Sequence, residues 1–178
     1  MVIPPPSTGW LHTLLRKITA SSLWIRLFPP NLHILIDRIA EGLSTGRTTL
    51  TGALGGVAVI KITAKGARTG KARSVSVVAI PQGEELILVA SNFGRPHHPS
   101  WYYNLKASPQ VAVTYGEQTR NYVAREVGGA EREACWSKAA QVYPGYRVYA
   151  RTAAPRKIPI IVLAPSTFPV ARSPAAVE

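Results

Sequence analysis

"VAVIKIT" (57–63), "SVSVVAI" (74–80) and "ELILVAS" (85–91) place apolar, largely β-branched residues at every second position, and that period predicts three successive strands. The same signal returns in "QVAVTY" (110–115), "RNYVAREV" (120–127) and "IPIIVLAP" (158–165). "PQGEE" (81–85) and "YGEQT" (115–119) are short enough to close hairpins between the second and third and between the fourth and fifth strands. "HPSWYYNLKASP" (98–109) reads as a short helix ended by Pro109, with Trp101 and Leu105 facing the core at i and i+4. "GGAEREACWSKAAQVY" (128–143) reads as a longer helix with Ala134, Cys135, Ala139 and Val142 on its inner face. The fold class that follows is mainly β with α (α+β). Six antiparallel strands in a meander, with two inserted helices, fit a small closed or partly open barrel better than a sandwich, because closure hides strand edges.

The ends of the chain differ from this middle. "GWLHTLLRKITASSLWIRLF" (9–28) and "NLHILIDRIAEGL" (31–43) carry apolar residues at helical spacing. They predict two short amphipathic helices, which either cover the barrel or its partner subunit or act as a membrane-surface or substrate-gating element. The expected organisation is an N-terminal helical extension over residues 1–50, a barrel domain over 51–166 and a flexible tail over 167–178.

Composition narrows the chemistry. A chain of 178 residues suits one domain, and a single cysteine, Cys135, excludes an internal disulfide framework and fits a reducing, cytoplasmic compartment. The formal charge of +12 points to an anionic partner. Of nine acidic residues Asp37 is the sole aspartate and the glutamates are scattered, so hydrolysis by paired carboxylates, two-metal sites or a Ser-His-Asp triad is disfavoured. "MVIPPPST" carries no cationic leader, and the apolar run "ALGGVAVI" stops at Lys61, short of the roughly 20 residues a bilayer crossing needs. Cations interleaved with aromatics on one sheet face are not evident, so nucleic acid is not the expected anion.

Three segments could carry function. "KGARTGKARS" (65–74) sets Lys65, Arg68, Lys71 and Arg73 around Gly66 and Gly70 in a strand-to-strand turn. Glycine backbone at close range and charge-assisted donors suit a multiply charged anion, with a merely solvated basic hairpin as the alternative. The spacing is not that of a Walker loop. In "VASNFGRPHHPSWYYNLKASP" (89–109) a strand ends in Ser91-Asn92 and turns through Gly94 into the short helix, offering backbone amides to the polar edge of a planar heterocycle. His97 and His98, lacking a nearby acid or cysteine, read as helix-entry and surface residues rather than metal ligands. In "VYPGYRVYAR" (142–151) Tyr143, Tyr146 and Tyr149 lie on a segment read as irregular, and they either wall an aromatic pocket or pack against the barrel.

With "RKIPIIVLAP" (156–165) following in order, these segments resemble the deazaflavin-dependent nitroreductase family, split β-barrels that bind coenzyme F420. The resemblance covers residues 52 to 165. It implies that Arg68, Thr69, Gly70, Lys71 and Arg73 hold the phosphate and polyglutamate tail, and that Ala90, Ser91, Asn92, Trp101 and Asn104 hold the ring and its side chain. It also implies catalytic roles for Ser91, Tyr143, Tyr146 and Tyr149 beside the acceptor, with Tyr146, the central tyrosine, expected to matter most. Ala67 stands where familiar members of that family have another Arg, and Asn92 where its best-known nitroimidazole reductase has Lys. The expected function is hydride transfer from reduced deazaflavin (8-hydroxy-5-deazaflavin) to a quinone, nitroaromatic or other conjugated acceptor. An FMN-dependent split-barrel reductase and a non-catalytic cofactor- or lipid-binding protein are the alternatives. A homodimer and a peripheral contact with the inner membrane face through the N-terminal helices stand as further expectations.

Overall fold

The computed structural model describes Met1, Ile3, Pro4 and residues 57–166; the expected helices at 9–28 and 31–43 and the 167–178 tail lie outside the described residues. Six strands, β1 (Ala58–Lys65), β2 (Ala72–Gln82), β3 (Glu85–Val89), β4 (Gln110–Tyr115), β5 (Gln118–Glu126) and β6 (Ile160–Pro165), close into a barrel in the order β1-β2-β3-β6-β5-β4. Every ladder is antiparallel. The two short hairpins form as their turns predict, with Gln82 opposite Glu85 and Tyr115 opposite Gln118.

A simple meander does not hold. β6 lies between β3 and β5, and β4 closes back on β1 with Ala64 opposite Val111. Ile160, Ile161, Val162 and Leu163 are buried on both faces of β6, so an edge position would leave an apolar strand with unpaired backbone groups.

Alternation along the strands builds two cores. Ile60, Ile62, Leu86, Leu88, Val111, Val113, Tyr122, Ile161 and Leu163 fill the barrel, and Tyr102 and Leu105 of helix α1 (Ser100–Ala107) plug it. Ile80, Ile87, Val89, Ile160 and Val162 face outward under helices α2 (Gly129–Val142) and α3 (Gly145–Ala153). Each fully buried Ile or Leu contributes about 1.5–3 kcal/mol, so these two clusters dominate stability. On α2 the inner face runs through Cys135, Ala139 and Ala140; Ala134, expected there, is exposed because the stripe at i, i+4 from Cys135 turns it outward.

The tyrosine segment is a helix rather than irregular. Pro144 stands at its N-cap, where a missing N–H costs nothing, so the proline that ends α2 also starts α3.

The ladder directions gather every candidate segment at one end of the barrel. β1, β3 and β5 finish there and β2, β4 and β6 begin there, so the 66–71 turn, the 90–109 segment and the 127–159 segment are neighbours in space. The 83–84 and 116–117 turns close the opposite end.

Candidate functional site

The basic turn is held by its own backbone. Gly66 N–H donates to Lys71 O and Gly70 N–H to Gly66 O, both at 2.8 Å, and Gly70 takes a φ of +67° that glycine adopts without strain. A side chain on Gly66 would crowd Thr69 Oγ1 and Lys71 O, so the first glycine is required by space. Thr69 Oγ1 accepts weakly from Lys71 N at 3.4 Å. The side chains of Lys65, Arg68, Lys71 and Arg73 are exposed, and no carboxylate pairs with them among the described residues. Acidic side chains are engaged elsewhere: Glu131 takes Arg125 through two bonds of 2.7 and 2.8 Å, Glu84 meets Arg120, and Glu126 meets Lys106. The turn is therefore a concentrated, uncompensated positive charge.

Helix α1 is tied to this turn. Asn104 Oδ1 accepts from Ala67 N at 2.9 Å across 37 residues of sequence. Trp101 lies partly buried against the barrel core at the start of the same helix.

The end of β3 runs into a 3₁₀ turn, Asn92–Gly94, where Asn92 and Phe93 both hold positive φ (49° and 55°). For Phe93 that conformation is strained. Gly94, at φ +76°, lies so close to α3 that a methyl group there would sit 3.0 Å from Thr152 Cβ and 3.2 Å from the Tyr149 backbone. The Asn92 side chain donates to His97 O at 2.9 Å, closing the loop on itself. The backbone N–H groups of Asn92 and Phe93 have no acceptor among the described residues. They are the amides the turn leaves available to a ligand.

Sequence reasoning missed what lies beneath this turn. Arg156 donates to Arg95 O through Nε (3.0 Å) and Nη2 (2.8 Å), to Ser91 O through Nη2 (2.8 Å), and more weakly to Ala90 O through Nη1 (3.4 Å). Its Nη1 also lies 3.0 Å from His98 Nδ1, which must be the acceptor because guanidinium only donates. Burial, and then the Arg156 charge, push the His98 pKa below its ordinary value. His98 packs on Tyr102, whose hydroxyl donates to Glu126 at 3.0 Å. Arg156 lies within "RKIPIIVLAP", but a lone arginine in a basic chain has no periodicity to mark it.

The three tyrosines converge. Tyr143 and Tyr149 bring their hydroxyls to 3.2 Å, and the Tyr143 and Tyr146 rings meet edge to face at 5.2 Å. Gly145 is glycine because a side chain there would overlap the Tyr143 ring. Phe93 joins them, its ring 6.1 Å from that of Tyr149, so the 92–94 turn and the tyrosine helix form one wall. Burial drives the Tyr146 and Tyr149 pKa values well above the ordinary phenol value, and both hydroxyls stay protonated at working pH. Ser91 Oγ has no partner among the described residues. No group of three or more metal-ligating side chains occurs among the described residues, and no helix there is long and apolar enough to cross a membrane. A separate cleft of about 180 Å³, beside Leu105, Lys106 and Pro109, includes none of the expected site residues.

Residues 38–165 match the family described as F420H(2)-dependent quinone reductase. The F420H(2)-dependent quinone reductase Rv1261c of Mycobacterium tuberculosis is 37% identical over 62 residues, which span 35% of this chain and 42% of that protein's length. A solved F420-H2 dependent reductase, FDR-A, is 38% identical with a TM-score of 0.55, covering 59% of this chain and 92% of that one. A second structure, described as a domain-swapped dimer, is 34% identical with a TM-score of 0.56, covering 71% and 90%.

Proposed function

We propose that this chain, which belongs to the F420H(2)-dependent quinone reductase family, transfers a hydride from reduced coenzyme F420 to a quinone. The observation that carries the reading is the pairing, at one end of the barrel, of a basic turn that no carboxylate meets among the described residues with the unpartnered amides of Asn92 and Phe93 and a group of buried tyrosines. The first suits a polyanionic tail and the second a planar, polar-edged ring, and the residues present fit the cofactor on both counts.

The roles follow from the contacts. Arg68, Lys71 and Arg73, with the Thr69-Gly70 backbone, would hold phosphate and carboxylate groups through charge-assisted bonds. Asn104 fixes the turn against α1, and Trp101 lies on the same helix. Of Ala90, Ser91 and Asn92, only Asn92 would meet the polar edge of the ring through its backbone N–H, because the Ala90 and Ser91 N–H groups donate to Pro159 O and Val89 O. Reduced deazaflavin, when bound, supplies a hydride from C5. The protein's contribution is orientation and electrostatics: Ser91 Oγ and the Tyr143–Tyr149 hydroxyl pair can donate to a quinone oxygen as negative charge arrives there. The proton that completes the quinol can come from solvent, since among the described residues Glu84, Glu85, Glu126, Glu131 and Glu133 all meet cations.

Replacing Arg68 and Arg73 singly by Ala tests this reading. F420 affinity, followed by fluorescence titration, should fall about tenfold in each variant, as expected for losing one bond to a charged group. Unchanged thermal unfolding would accompany that loss, because both side chains are exposed. Equal affinity in both variants and the parent would refute the clamp.

A further inference from the structure

We infer that Arg156 is a positioning residue that fixes and polarises the Ser91–Asn92 peptide, so that its N–H becomes a strong donor to the polar edge of the bound deazaflavin; the inference rests on the reading above. Ser91 O accepts from Arg156 Nη2 at 2.8 Å and from Gly94 N at 3.0 Å, so this oxygen is saturated and one of its donors is a full cation. The N–H of the same peptide has no acceptor among the described residues. Charge drawn onto a carbonyl oxygen drains density from the attached N–H and strengthens it as a donor, an effect enhanced where water is excluded. The guanidinium therefore acts through one peptide unit rather than by touching the ligand.

The geometry favours this role over simple loop packing. Arg156 forms no ion pair among the described residues; its five N–H groups go to three carbonyls and to one neutral imidazole nitrogen. All three carbonyls bracket the two residues held at positive φ, Asn92 and Phe93. A backbone that disfavours its own conformation opens unless something holds it, and the fork of Arg156 grips both sides of the strained pair. Lysine, with one nitrogen, could at most replace Nη2 between Ser91 O and Arg95 O and would leave the Nε and Nη1 contacts to Arg95 O, Ala90 O and His98 unmade.

Three measurements on the purified full chain decide the matter. In the unliganded protein, Arg156→Gln should move the Asn92 amide proton upfield and speed hydrogen exchange at Asn92 and Phe93, and Arg156→Lys, which keeps the charge but loses the fork, should speed that exchange. F420 affinity should fall by about tenfold or more, as for loss of a bond to a charged group. In Arg156→Ala, added ethylguanidinium should recover part of that affinity. Unshifted Asn92 amides with unchanged affinity, even alongside a lower unfolding temperature, would overturn the inference and leave Arg156 a loop staple. If the variants do not fold, saturating the parent protein with F420 decides alone: the Asn92 and Phe93 amides should shift, and unmoved resonances overturn the proposal. A parent that does not bind F420 refutes the cofactor reading, whereas the unliganded amide shifts still report whether Arg156 polarises the peptide.

Discussion

Gly94 can carry no side chain at φ +76° with Thr152 and Tyr149 against it, so Gly94→Ala should destabilise the fold by about 1–3 kcal/mol, read as a lower urea midpoint. A midpoint equal to the parent's would mean that the turn and α3 are not packed as described. Among the tyrosines, Tyr143 and Tyr149 share a hydroxyl–hydroxyl contact of 3.2 Å, whereas Tyr146 meets its neighbours through its ring, so the proposed donors to an acceptor are Tyr143 and Tyr149. Tyr149→Phe and Tyr143→Phe should each lower quinone turnover by about tenfold with F420 affinity unchanged, the mark of a donor that works in the transition state. A larger loss in Tyr146→Phe would restore the ranking expected from sequence. Because burial raises the pKa values of Tyr146 and Tyr149, no decline in turnover from their ionisation should occur below about pH 10, the ordinary phenol value. The basic turn was legible in the sequence because cations around two glycines form a local pattern. Arg156 was not, because its meaning lies in contacts 58 to 66 residues away.

At the scale of elements, the link between α1 and the basic turn is one hydrogen bond, Asn104 Oδ1 to Ala67 N. Asn104→Ala should cost about 1 kcal/mol of stability and also weaken F420 binding although every cation is intact. A variant with parental affinity would show that the turn needs no anchor. Beside it, the contact between His98 and Arg156 makes stability depend on acid. His98 faces Arg156, Glu126 and Lys106, and its folded pKa is lowered, first by burial. The unfolded chain takes up the proton at the ordinary value of 6.5, before the folded one does, so this contribution is present above that pH and is lost as pH falls. His98→Gln should flatten the decline of the urea midpoint between about pH 7 and pH 5; an unchanged slope would assign it to other groups. Strand periods were readable from alternation, yet the neighbours of β6 were not, because register depends on which faces are buried once the barrel closes. Helix α3 escaped for a related reason: Pro144 and Gly145 read as breakers, and only packing reveals that they start a helix.

Across the whole molecule, antiparallel closure delivers three distant segments to one barrel end, in a chain whose formal net charge is +12. The fold class, the number of strands and the position of the basic turn were all present in the sequence. What was missing was the set of long-range contacts that turn adjacency into a site: Ala67 with Asn104, Phe93 with Tyr149, and Arg156 with Ser91. If the turn clamps an anionic tail from an exposed position, F420 affinity should fall steadily as salt rises, because exposed charges are screened over about 10 Å at 0.1 M. Salt-independent affinity would mean that the tail lies elsewhere. The central claim, hydride transfer from a deazaflavin to a quinone, is tested most directly by following oxidation of reduced F420 by menadione with the purified chain, beside a parallel run with reduced FMN. Oxidation of F420H2 that requires both protein and quinone is expected, with no comparable acceleration from FMN. Failure to oxidise F420H2, or turnover with FMN alone, would contradict it.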